Sequence, residues 1–76
     1  AAGNSFVGHQ AGVKNTTGAA NTFNGELSGS NNTIGSGNSL FGYRSGLQLV
    51  SGICNTMLGY LSGAGYATQD YVIAIG

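Results

Sequence analysis

Apolar and polar positions along this chain recur in a fixed cycle. Each cycle reads Asn, a hydroxyl residue, one or two apolar residues, then Gly: Asn4-Ser5-Phe6-Val7-Gly8, Asn21-Thr22-Phe23-Asn24-Gly25, Asn38-Ser39-Leu40-Phe41-Gly42 and Asn55-Thr56-Met57-Leu58-Gly59. The asparagines are spaced 17 residues apart throughout (21−4, 38−21, 55−38). A single period held over a whole chain marks a repeat architecture rather than an irregular core. The triplets between Asn and Gly are rich in β-branched, aromatic and hydroxyl residues, which predicts a short strand in each.

The rest of each unit is looser but keeps register. Thr16, Thr33, Val50 and Ala67 share a column, which predicts a second short strand per turn. Glycines form three columns: Gly8, Gly25, Gly42, Gly59 and Gly76; Gly12, Gly29, Gly46 and Gly63; and Gly18, Gly35 and Gly52. Three such columns predict three corners, where the backbone turns left-handed or approaches a neighbour too closely for a Cβ.

Stacked turns of this kind make an all-β parallel β-solenoid, a β-roll or β-helix of 17-residue turns in which every residue lies about 4.8 Å from its counterpart. The expectation is one segment, residues 1–76, of about four to five turns, cut from a longer fibre or surface protein. Columns then become ladders. Strand alternation points Phe6, Phe23, Leu40, Met57 and Ala74 one way and Val7, Asn24, Phe41, Leu58 and Ile75 the other. Only one of these ladders fits inside a narrow coil. Whichever ladder stays outside is an exposed apolar stripe, and hence a predicted contact, most simply with another copy of the chain.

The asparagine column, Asn4, Asn21, Asn38 and Asn55, reads as structural, through amide ladders along the stack or turn chemistry at a corner. Gly8, Gly25, Gly42 and Gly59 are read with it as turn positions. Composition narrows the rest. Charged residues are 5% of the chain, against about 25% in ordinary soluble domains. That leaves no basic footprint for nucleic acid. The longest apolar run, Tyr71 to Ile75, is far below the ~20 residues of a membrane helix, so no membrane insertion is expected. Cys54 is alone, which excludes an internal disulfide, and with Ala20 and Gly37 in its column it reads as a buried inert thiol.

Catalysis, a cofactor and a metal site are not expected. His9 and Glu26, one turn apart, read as a solvated surface pair without a third orienting group. Glu26 and Asp70 lie more than two turns apart, too far to share one glycosidic bond. Gly35-Ser36-Gly37 and Gly63-Ala64-Gly65 lack the third glycine of a phosphate loop. Asn15-Thr16-Thr17 and Asn31-Asn32-Thr33 fit the glycosylation sequon, as chance allows in so Asn- and Thr-rich a chain. The best recognition candidates are Tyr43, Tyr60 and Arg44, with His9 and Glu26 in the same columns. Stacked tyrosines beside Arg suit a sugar or protein ligand, and they equally suit subunit packing.

The units resemble repeats of phage tail fibres, viral attachment proteins and bacterial surface proteins, and the head repeats of trimeric autotransporter adhesins. In that last family the repeat ends Val-Ala-Ile-Gly, similar to Ile73-Ala74-Ile75-Gly76. The resemblance implies a homotrimeric, left-handed β-roll serving as a structural or attachment segment of a viral fibre or spike at the virion surface. An alternative is a bacterial cell-surface adhesin that binds a host glycan through Tyr43, Tyr60 and Arg44. Against that family pattern, Asp70 or Tyr71 rather than Val72 takes the Asn role in the last turn, implying a bulge or transition there. Ice binding is a weaker option. The hydroxyl column Ser5, Thr22, Ser39, Thr56 has Val7, Asn24, Phe41 and Leu58 beside it on the strand face, where an ice-like face would want a second hydroxyl column.

Overall fold

The computed structural model describes residues 3–63 and 65–76. Five three-residue strands form a single parallel sheet in chain order: β1 Ser5–Val7, β2 Thr22–Asn24, β3 Ser39–Phe41, β4 Thr56–Leu58 and β5 Ile73–Ile75. Each strand pairs with the next at a uniform offset, Phe6 with Phe23, Phe23 with Leu40, Leu40 with Met57 and Met57 with Ala74. The chain is therefore an all-β parallel β-solenoid of about four turns, one per 17 residues. Its extents are 29 × 24 × 15 Å.

The middle residue of each strand points inward. Phe23, Leu40 and Met57 are fully buried, with Phe6 and Ala74 half-covered at the two end rungs. Phe6 and Phe23 stack with ring centroids 4.8 Å apart. Leu49, also fully buried, fills the remaining interior. The flanking strand residues point outward, as alternation requires. Val7 is 61% exposed, Leu58 51% and Ile75 74%.

Two glycine columns show why a side chain is excluded. At Gly25 and Gly42 the backbone has φ of +132° and +129°, and a Cβ would sit 2.5 Å from the carbonyl oxygen of the glycine one rung on. At Gly29 and Gly46 a Cβ would come within 2.6 Å of the Phe23 ring or the Leu40 side chain, so the core residue packs directly on bare backbone. The third column has no left-handed φ. It is crowded instead, with a Cβ on Gly35 falling 2.5 Å from the oxygen of Gly52.

Three sequence expectations need correction. The second strand expected through Thr16, Thr33, Val50 and Ala67 is absent, and those residues lie in turns and bends. Rung-to-rung bonds do occur there: the Thr16 amide donates to the Thr33 carbonyl at 2.9 Å and the Val50 amide to the Ala67 carbonyl at 2.8 Å. The Thr17 and Gly18 amides, however, converge on the same Thr33 oxygen. With three amides and the Thr16 hydroxyl on one acceptor, the regular ladder of a strand cannot continue.

The bulge expected in the last turn does not form. Val72 stands in the asparagine column itself and its amide donates to Asn55 Oδ1 at 2.8 Å, so β5 keeps the register of β4. Tyr71, with φ +59°, belongs one column earlier, with Ala20, Gly37 and Cys54.

That column also corrects Cys54, which is exposed. Its members are mostly small because their backbones are left-handed, with φ of 58° at Ala20 and 56° at Cys54, a conformation that crowds a Cβ against the following carbonyl. Room is not the constraint, since the large side chain of Tyr71 occupies the same column in solvent. A further left-handed corner, Gln10, Leu27, Arg44 and Leu61, carries no glycine at all. It is held by rung-to-rung bonds of 2.9 Å from Leu27, Arg44 and Leu61 to the carbonyls of His9, Glu26 and Tyr43.

Candidate interaction surface

The polar side chains of this protein divide into those spent on holding the stack and those that face outward. The asparagine column is of the first kind. Asn4 accepts at Oδ1 from the Asn21 amide and donates from Nδ2 to the Gly18 carbonyl, both at 2.9 Å. Asn21 makes the same two bonds to Asn38 and Gly35, Asn38 to Asn55 and Gly52, and Asn55 to Val72 and Gln69. Each amide thus clamps the next rung at two points with a 14- and a 17-residue step. Within this column the expected amide-to-amide contact occurs once, from Asn55 Nδ2 to Asn38 Oδ1 at 3.0 Å, and Asn32 Nδ2 makes another to Asn15 Oδ1 in a separate column. Elsewhere the partners are backbone. Asn21, Asn38 and Asn55 are fully buried, where an unmade hydrogen bond is costly.

A second polar ladder has a role that the sequence pattern left unassigned. Ser28, Ser45 and Ser62 follow Ala11 in one inward column and are buried. Ser28 Oγ donates to the Leu40 carbonyl at 3.2 Å, and Ser45 and Ser62 hydroxyls lie 3.0 Å apart. The signal was there in three serines preceding three column glycines. Only folding places them inside.

Of the recognition candidates, Tyr43 and Tyr60 stack, with ring centroids 5.4 Å apart and planes 15° from parallel. The Arg44 guanidinium carbon lies 5.1 Å from the Tyr43 ring centre. Tyr43 is therefore engaged by Tyr60 and by Arg44, an arrangement worth about 0.5–1.5 kcal/mol as packing. Tyr60 is 67% exposed. His9 Nδ1 and Glu26 Oε2 are 3.5 Å apart, both largely in solvent. An exposed pair of this kind contributes little. The structure brings Tyr43, Tyr60 and Arg44 together, and His9 and Glu26 together. Among the described residues it forms no cavity around either group. Among the described residues no three His, Cys, Asp or Glu side chains gather where a metal ion could sit.

The outward strand face is the other feature. Its column Val7, Phe41, Leu58 and Ile75 is exposed, and Ile73 beside it is 75% exposed. The ten outward strand positions carry no charge. Lys14, Glu26, Arg44 and Asp70 all lie off the strands. Comparison with family models, with curated proteins and with solved structures finds no match to this chain.

Proposed function

We propose that this chain is a rod segment of a trimeric fibre or spike of the kind viruses and phages use for host attachment, with three solenoids laid parallel through their outward strand faces. One observation carries this reading: the uncharged, apolar outer column at every rung except the Asn24 rung, on a face that the fold leaves in water. An apolar stripe repeated at a fixed axial spacing marks an interaction surface, and a parallel copy of the same chain matches that spacing at each rung.

The rest of the molecule suits a mechanical part. Every rung is tied to the next by strand bonds and by an asparagine clamp, buried at Asn21, Asn38 and Asn55, so tension or proteolysis must break several bonds at once. The repeat pattern's resemblance to fibre and adhesin units adds the context of attachment at a virion surface. Tyr43 is already engaged by the Tyr60 ring and the Arg44 guanidinium, contacts that suit packing within the stack. Sedimentation equilibrium tests the proposal. A concentration-independent trimer mass at micromolar chain is expected. A folded monomer at that concentration, shown by circular dichroism alongside, would refute it.

A further inference from the structure

The outward column reads Val7, Asn24, Phe41, Leu58, Ile75, with one amide among four apolar side chains. Asparagine is disfavoured in strands. The clamp does not explain it. The chain has eight asparagines, and seven of them spend their side chains on hydrogen bonds within the solenoid. Asn24 alone among the described residues makes none, and it is exposed.

We propose that Asn24 fixes the axial register between parallel copies of this chain by meeting its own counterparts across the outward strand faces. This rests on the self-association proposed above and adds to it a residue that selects one alignment. The occupant of the face is argued from two features. A symmetric contact brings each side chain close to its copies, so a charged face would repel itself, and this face has no charge. A partner must also repeat at the same axial step to meet every rung, and a second copy does so by construction.

The repeat creates the difficulty that Asn24 resolves. Apolar rungs about 4.8 Å apart fit one another equally well after a slip of one rung. A slip places Asn24 against Val7 or Phe41 of a neighbouring copy, leaving its amide unpaired among apolar atoms. In register, the amides donate and accept among themselves. A single unpaired buried amide shifts such an equilibrium by about tenfold or more, and a lone polar residue in an apolar seam sets register in the same way in coiled coils.

Disulfide trapping tests this. In a Cys54→Ala background, which the Ala20 rung shows to be compatible with that corner, chains carrying Phe41→Cys and chains carrying Leu58→Cys are unfolded together, refolded as a mixture and oxidised. With Asn24 present, crosslinks join like positions, 41 to 41 and 58 to 58. With Asn24→Val, a residue the column already holds at Val7, crosslinks from 41 to 58 rise at least about tenfold while the chains stay associated. Asn24→Leu, matching Leu58, gives a second variant should the first fail to fold. Associated chains that keep like-position crosslinks in both variants overturn the register role and leave the fibre reading intact. Chains that are monomeric with Asn24 in place overturn both.

Discussion

Replacing Asn38 by Ala isolates the clamp that ties one rung to the next. Asn38 is fully buried, and its side chain accepts from the Asn55 backbone amide and the Asn55 Nδ2, both at 3.0 Å, and donates to the Gly52 carbonyl at 2.8 Å. Alanine leaves that backbone amide and that carbonyl without partners in an interior closed to water. Each orphaned buried group costs about 1–3 kcal/mol, so the loss is about 2–6 kcal/mol in all. That is a large share of the 5–15 kcal/mol that holds a typical domain together.

Asn4→Ala serves as the control. It removes the equivalent two backbone bonds at the first rung, but Asn4 is only partly buried and the Gly18 carbonyl keeps a bond from Asn15 Nδ2 at 3.1 Å, so the loss is at most about half as large. Urea titration at fixed chain concentration reads both, since stability of an associating chain depends on that concentration. Asn38→Asp adds a pH signature. The carboxylate would face the Gly52 oxygen, so only its protonated form can donate as the amide does, and burial raises its pKa above the unfolded value near 3.9. Its stability is therefore fully present below about pH 4 and falls as pH rises, by up to about 1.4 kcal/mol per unit, until the folded pKa is passed. A cost below about 1 kcal/mol for Asn38→Ala, equal to that for Asn4→Ala, would refute the clamp.

Three further outcomes are expected. Phe23→Ala empties the centre of the buried ladder and costs about 3–5 kcal/mol by urea titration, whereas a cost below about 1 kcal/mol would mean that the strand faces are inverted. Gly29 and Gly37 are both left-handed, with φ of +59° and +69°, but a Cβ meets the Phe23 ring at 2.5 Å in the first and nothing nearer than Cys54 Sγ at 3.5 Å in the second. Gly37→Ala therefore costs no more than about 1–2 kcal/mol, and Gly29→Ala costs a further 1–3 kcal/mol or so from overpacking, a difference that thermal or urea midpoints will show. Cys54, being exposed, reacts with an aromatic disulfide reagent in the folded state, and a requirement for denaturant would restore the buried-thiol reading.

The period of 17 residues determined much of this protein by itself. Once chain positions are aligned in columns, the strand triplets, their pairing register and the opposition of the Phe23 and Phe41 ladders follow from alternation, because each turn must repeat its neighbour, while burial in the fold decides that Phe23, Leu40 and Met57 are the inward set. The asparagine column was legible as structural, and the Tyr43–Tyr60 stack as a column pair. Other features depended on what surrounds a residue rather than on its type.

Small side chains at Ala20, Gly37 and Cys54 could mean a crowded interior or a left-handed corner, and only the backbone distinguishes the two. Asn amides could bond one another or the next rung's backbone. The short 2.8–3.0 Å reach to backbone amides and carbonyls decided for the backbone. The hydroxyl-rich Thr16 column had strand composition, yet three amides sharing the Thr33 oxygen stop a ladder there. Periodicity fixes which residues are equivalent, while hydrogen-bond geometry and crowding between rungs decide what each equivalent set does.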